Sequence, residues 1–359
     1  MSDSRRWPAG GSRRGRVQEA GTIGVPAVEE AVAVLQHVLA DDRHGGLPDY
    51  FFWYFRKYCS DRLALERFTR LVRHLFDCVD GHGQRILDLG CGFGFFSVLF
   101  RLWGASGVVA YDHNTEKIHV LRRILCHYFP DLHGVLPVLG NGHQLTMDAA
   151  SVDVVLLNDV ISHVGDFCHC LREVRGVLGR GGRLLIRDSN NKLFLPGLHK
   201  RRRLWRRREC GPVRREQLRG TDTPLPFVAV REQIIREHYP NVSGESLKQL
   251  ARATAGQDKQ AILATVETYR EGFVPPSPRK RVSRDPVTGE WLEREFNPFL
   301  LRRIIEELGF DVSFVPSYCR QRGAGPAAIA WRLLFRLGRK LPRAAQFVCP
   351  SFTLLCVKT

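Results

Sequence analysis

Three glycines at alternate positions, Gly90, Gly92 and Gly94, end an apolar run (Arg85-Ile86-Leu87-Asp88-Leu89) and precede a helix-forming stretch that begins at Phe95. A strand entering such a loop needs backbone torsions that glycine adopts cheaply, and the missing side chains let a ligand come close to the main chain. The helix that follows has unbonded N–H groups in its first turn. This strand–loop–helix unit restricts the chain to α/β architectures. Short apolar runs then recur with helical stretches between them. Strands are expected at Arg85–Leu89, Gly107–Asp112, Val135–Leu139, Val152–Asn158 and Arg183–Asp188, with helices at Phe95–Trp103, Thr115–Tyr128 and Phe167–Leu178. That alternation predicts a parallel sheet covered on both faces.

The alternation stops near Leu195. Residues 196–295 are basic, contain prolines and hold shorter helical pieces at Arg231–Tyr239, Leu247–Ala253 and Lys259–Tyr269. The sheet pattern resumes at Asn297, an N-cap followed by Pro298 in the first helical position and closed by Gly309. Strands are expected at Val312–Val315 and Ser351–Val357. The division is therefore a disordered basic tail (1–26), a helical cap (27–80) and the first part of a core (81–195). A basic helical insertion (196–295) and the rest of the core (296–359) complete it. An insertion at the end of the fifth strand falls beside the ligand crevice of a doubly wound sheet, which suits a lid or an acceptor-binding element. The cap contains the aromatic stretch Tyr50-Phe51-Phe52-Trp53-Tyr54-Phe55, and Leu63–Phe76 has the spacing of an amphipathic helix.

The glycine loop also indicates its ligand. Dinucleotide-binding loops favour G-x-G-x-x-G, whereas here the glycines run G-x-G-x-G and Phe95 stands at the last position. Asp88 immediately precedes the first glycine. A carboxylate there opposes a phosphate but suits a cofactor with a cationic amino-acid end. The run Ile86-Leu87-Asp88-Leu89-Gly90-Cys91-Gly92-Phe93-Gly94 resembles the first motif of class I S-adenosylmethionine-dependent methyltransferases.

Further stretches resemble that family in the expected order, over about residues 81–191 and more loosely over 297–359. The resemblance implies a doubly wound α/β domain with a seven-stranded, mostly parallel sheet, to which this chain adds N-terminal helices and an inserted helical lid. It implies S-adenosylmethionine as cofactor, held at the loop by Asp88, Gly90, Cys91, Gly92, Phe93 and Gly94. Asp112, the carboxylate ending the second strand, would bind the ribose hydroxyls, with His113 near the adenine. Asn141 and Gly142 occupy the turn after the third strand, where relatives often carry an acid that accepts from the adenine amino group. An amide oxygen can accept the same hydrogen bond. Asn158 and Asp159 would stand at the edge of the fourth strand, beside the cofactor. No metal is implied.

Methyl transfer to a hydroxyl needs alignment and a proton acceptor. His163 is the first candidate for that base, the alternative being that it packs within its own loop. Asp188 and Asn190, followed by Asn191, end the fifth strand and form the second group, as acceptor-pocket residues or as turn formers. After the fourth strand the chain has Asn158-Asp159-Val160-Ile161, not the Pro-Pro-aromatic run or the Pro-Cys nucleophile of the two common nucleic-acid base methyltransferases. Those two base chemistries are therefore disfavoured, while other RNA methylation stays open; the motif style after the fourth and fifth strands resembles the broad group that methylates O or N of a small-molecule, glycan or lipid-linked acceptor, which is the leading expectation.

Charge keeps other partners open. The formal net charge is +17, and Lys200-Arg201-Arg202-Arg203-Leu204-Trp205-Arg206-Arg207-Arg208 concentrates it. The segment 200–219 suits RNA or an anionic membrane surface, or is a solvated linker. Ala328–Lys340 reads as a basic amphipathic helix. An RNA methyltransferase and a non-catalytic S-adenosylmethionine-binding regulatory protein are the alternative functions. No apolar run reaches about 18 residues, so no transmembrane helix is expected. Ten cysteines without a C-x-x-C pair point to reduced thiols, in the cytoplasm or at the periphery of a membrane.

Overall fold

The computed structural model describes residues 33, 36, 51, 55, 61–212, 225–242, 244–270, 284–287, 289, 293–316 and 340–359. The basic tail (1–26), most of the cap before Asp61 and nearly all of the C-terminal basic stretch lie outside these residues.

The sheet has seven strands: β1 (Arg85–Leu89), β2 (Gly107–Asp112), β3 (Val135–Leu139), β4 (Val152–Asn158), β5 (Leu178–Asp188), β6 (Phe310–Phe314) and β7 (Phe352–Lys358). Their order is β3-β2-β1-β4-β5-β7-β6. The first five are parallel, and β7 runs antiparallel between β5 and β6. This is the doubly wound α/β sheet expected from the alternation. β5 begins earlier than expected, at Leu178 directly after the helix Phe167–Val177, because Gly181 takes a positive φ and the pairing with β4 shifts register between Val152 and Val154.

Helix α1 (Arg62–Cys78) precedes the sheet; α2 (Phe95–Leu102), α3 (Thr115–Tyr128) and α4 (Phe167–Val177) fill the crossovers. Successive strand residues point to opposite faces, and the core divides accordingly. Ile86 joins the cluster of Val98, Leu99, Trp103 and Leu121 beneath α2 and α3, whereas Leu87 and Leu89 join Leu171, Val174 and Ile305 on the other face.

The segment after β5 is not a linker. It forms α5 (Leu195–Cys210), followed by α6 (Phe227–His238), α7 (Gly244–Ala253) and α8 (Lys259–Arg270). The last three enclose a small apolar core of their own around Ile234, Ile235, Leu250 and Ile262. Arg208 of α5 lies over the Phe227 ring at 4.8 Å, and the buried Arg231 pairs with Glu209 and donates to Ala251 O at 2.7 Å. The basic run lacked a helical apolar stripe, which is why its helix was not expected; tertiary contacts on one side of α5 supply what propensity alone does not. Helix α9 (Pro298–Glu307) starts at Asn297, whose side chain accepts from Phe299 N at 3.0 Å, and the short α10 (Pro342–Ala345) precedes β7.

Candidate functional site

Strand order reverses between β1 and β4, so the crevice at their carboxyl ends is where a doubly wound sheet binds ligands. Gly90, Gly92 and Gly94 all have positive φ, at 78°, 58° and 75°. Their reasons differ. A Cβ on Gly90 would sit 2.4 Å from Val160, and one on Gly94 would sit 2.4 Å from Leu121. Gly90 thus lets the loop after β1 pack on the turn after β4, and Gly94 lets α2 approach α3. A Cβ on Gly92 would meet nothing within 4 Å, so its bare backbone faces open space. Helix α2 begins at Gly94 without a side-chain cap. In its first turn the Ser97 N–H is already engaged by the Asp88 carboxylate.

Two carboxylates flank this loop. Asp88 is buried and accepts from Ser97 Oγ at 2.6 Å. Burial pushes its carboxyl up to about 7; the Ser97 hydroxyl opposes that rise and the charge of Asp112 adds to it. Asp112, also buried, accepts from Gly92 N at 2.8 Å and from Asn114 N at 2.9 Å. His113 is largely exposed, with Nδ1 3.5 Å from Asp112. Cys91 lies in the loop, its thiol 3.6 Å from Gly92 O. Phe93 turns its ring inward, edge-on to Phe51 at 5.1 Å, which leaves only its backbone at the loop surface. Phe55 packs on Phe95 at 4.5 Å. Of the aromatic stretch at 50–55, these two rings support the glycine loop from behind. After β3, Asn141 forms a turn in which its amide oxygen accepts from His143 N at 3.0 Å, and a Cβ on Gly142 would meet Cys170 and Leu89 at ordinary van der Waals distance.

The ends of β4 and β5 are tied together. Arg187 Nη1 donates to Asn158 Oδ1 and to Asp159 Oδ2, both at 3.0 Å, and Ser189 N donates to Asp159 Oδ1 at 2.7 Å. Asp159 holds a left-handed backbone with φ 53°, a strained choice for a non-glycine residue of the kind that clusters at functional sites. Arg187 and the Ser189 hydrogen bonds keep its carboxyl below the usual range against the effect of burial. Asp188 is fully buried and accepts from Ser162 N at 3.2 Å and Asn190 N at 2.9 Å. Burial and the charge of Asp159 push it up to about 7. Asp188, a sequence candidate for catalysis, therefore spans two loops from beneath, and it is Asp159 that keeps a partly exposed carboxylate at this edge.

Asn190 and Asn191 are buried as well. Asn190 O accepts from Phe296 N at 2.9 Å. Asn191 donates through Nδ2 to Gln346 O and Cys349 O at 2.6 and 2.8 Å, while its own carbonyl accepts from Arg201 Nη2 at 2.8 Å. Arg201 also donates to Ser189 O at 3.2 Å. The post-β5 segment thus joins the core, the insertion and the C-terminal segment. The bridging roles of Arg187, Asn191 and Arg201 were not legible in the sequence, because each depends on partners 10 to 158 residues away. His163 ends a 3₁₀ turn, Ile161–His163, and is half-buried just beyond β4.

A family model described as a methyltransferase domain matches residues 80–226. Residues 80–226 carry a methyltransferase domain. It is 34% identical over 134 residues to an uncharacterized transposon protein of Streptomyces fradiae, across 36% of this chain and 38% of that one. It is 30% identical over 134 residues to a ubiquinone/menaquinone biosynthesis C-methyltransferase of Vibrio vulnificus, across 34% and 48%. It is also 34% identical over 113 residues to a probable S-adenosylmethionine-dependent methyltransferase of Mycobacterium tuberculosis, across 31% and 38%. The chain thus spans less than half the length of each of these curated relatives.

At the glycine loop Gly92 leaves open space and Asp112 ends β2 beside it, and we propose that the buried Asp88 meets the cofactor's ammonium. A cation near Asp88 favours its ionised form. Affinity for S-adenosylmethionine is therefore expected to rise between about pH 6 and about pH 8, with the slope lost in Asp88→Asn. Isothermal titration across that range checks it; a flat wild-type profile would remove the ammonium assignment. Without cofactor the sign reverses. A folded-state pKa of about 7, above the unfolded value of about 3.9, means that stability is lost as pH rises from about 4 through about 7.

Proposed function

We propose that this chain is an active S-adenosylmethionine-dependent methyltransferase acting at O or N of a small-molecule, glycan or lipid-linked acceptor. The carrying observation is the meeting of the glycine loop with the post-β4 turn through Gly90 and Val160, which sets the Asp88–Asp112 half of the crevice against the Asn158–His163 half. When bound, the cofactor supplies a methyl group on a sulfonium.

The chain's own residues divide the remaining work. Asp112 and the loop backbone hold the cofactor's polar groups, with Asn141, Gly142 and His113 near the adenine. Asp159, fixed by Arg187 and Ser189, orients groups at the β4 edge. His163 takes the acceptor proton. A His163→Gln variant is expected to lower kcat by about 10²–10⁴-fold with cofactor affinity unchanged, the usual range for a lost general base. Steady-state kinetics with parallel calorimetry checks this; an unaltered kcat would leave alignment alone to support transfer.

The carbon-methylating activity named for the Vibrio relative brings quinone-like carbon acceptors into the same test. That test is transfer of labelled methyl from the cofactor into fractionated cell extract, with and without the protein. Label in an organic-soluble or small-molecule fraction supports the proposal. Label in an RNase-sensitive fraction replaces it with RNA methylation. Cofactor binding with no label in any fraction favours a non-catalytic regulatory role.

A further inference from the structure

Helix α5 has two unlike sides. Its inner side is consumed by the fold: Leu198 is buried, Arg201 donates to Ser189 O and Asn191 O, Arg202 lies 3.7 Å from Glu295, and Arg208 covers Phe227. Its outer side is not. At 100° per residue, Lys200, Arg203, Arg206 and Arg207 fall within one third of the helix circumference. Among the described residues none of the four forms an ion pair. The helix contains no acid before Glu209, which is committed to Arg231.

The rims of this cationic stripe are apolar. Leu195 is 61% exposed and Leu204 39% exposed. Trp205, the only ring in the basic run, points to the opposite, inner side by the same helical count and is half-buried. A polynucleotide site would put aromatic rings outward for base stacking. A bilayer surface instead asks for cations at the level of lipid phosphates and aliphatic side chains able to enter between headgroups. The helix begins at the exit of β5, so this stripe stands next to the carboxyl edge of the sheet where the crevice opens.

We propose that the outer face of α5 docks the protein peripherally on an anionic phospholipid surface, with Lys200, Arg203, Arg206 and Arg207 meeting lipid phosphates and Leu195 and Leu204 entering the interface. No helix of the described residues is long and apolar enough to cross a membrane, and this contact needs none. It would present the crevice to an amphiphilic acceptor lying in the bilayer. The docking is a binding property and stands independently of methyl transfer.

The experiment is co-sedimentation of the full chain with vesicles of phosphatidylcholine alone or mixed with phosphatidylglycerol, at low and high salt. Binding is expected only to the mixed vesicles and is expected to weaken with salt. Each cation near such a surface is worth about fivefold, so the Lys200→Glu, Arg203→Glu, Arg206→Glu triple variant is expected to bind at least about a hundredfold more weakly. A Leu195→Ser, Leu204→Ser variant, with every charge kept, is expected to lose about threefold or more. Calorimetry with S-adenosylmethionine, unchanged in both variants, shows that they are folded. The proposal is overturned by absence of binding to the mixed vesicles, or by equal binding of the triple variant. It is likewise overturned if the leucine variant binds vesicles undiminished while single-stranded RNA displaces the protein from them, which would make the stripe a polynucleotide site.

Discussion

Replacing Asp112 with alanine is expected to weaken S-adenosylmethionine binding by about a hundredfold to about ten-thousandfold while the chain stays folded. The range follows from two hydrogen bonds to one charged group at about 1.5–3 kcal/mol each. The carboxylate is buried at the end of β2 and already orients the loop by accepting from Gly92 N and Asn114 N. Its loss is therefore expected to remove the proposed ribose acceptor and to slacken the loop glycine whose backbone faces open space. The two donors lie in a partly solvated loop where water can replace the lost oxygen, so the sheet is expected to survive. Calorimetry gives the affinity and circular dichroism the fold. An affinity within a fewfold of wild type would take the ribose role away from Asp112.

Replacing Asp188 with alanine is expected to do something different. Asp188 has no exposed surface, and its two oxygens satisfy Ser162 N and Asn190 N. Removing it orphans two buried N–H groups, at about 1–3 kcal/mol each, so a loss of about 2–6 kcal/mol in unfolding free energy is expected. Both loops that it spans border the crevice, so kcat is expected to fall together with stability. A catalytic acid or base would instead lose kcat at constant stability. Denaturant unfolding beside kinetics separates the two, and a stable but inactive variant would restore Asp188 to a direct chemical role.

The contrast between these two aspartates marks the limit of sequence reading. Both end a strand, and both follow an apolar run that predicts its position correctly. That Asp112 lies beside the glycine loop could be read from the sequence, since a parallel β-α-β unit brings the ends of neighbouring strands together whatever the side chains, while its ribose role is what the family resemblance implies. Asp188 could not, because its environment is made by Ser162 on a different loop and by Asp159 across the strand pair. Helix α5 shows the same limit from the other side. A run of seven cations among nine residues has no apolar period, and it is Leu198, Arg201, Arg202 and Arg208 facing the fold that make it a helix with an inside and an outside.

The order of amino acids alone accounts for what is local and periodic. It set the strand–loop–helix unit with its three glycines, the alternation that yields a parallel sheet, the carboxylates at strand ends, and the break in pattern at Leu195 where the insertion enters. These follow from torsional preference and from the two-residue and 3.6-residue periods, which need no knowledge of distant partners. The tertiary structure decided which glycine packs against protein and which faces open space, and which acid is a buried strut and which stays at the crevice. It also decided which arginines are consumed by the fold and which remain outward. Each of those outcomes depends on atoms brought together from far apart in the chain, since burial, desolvation and hydrogen-bond partnership are properties of the packed molecule rather than of any one segment.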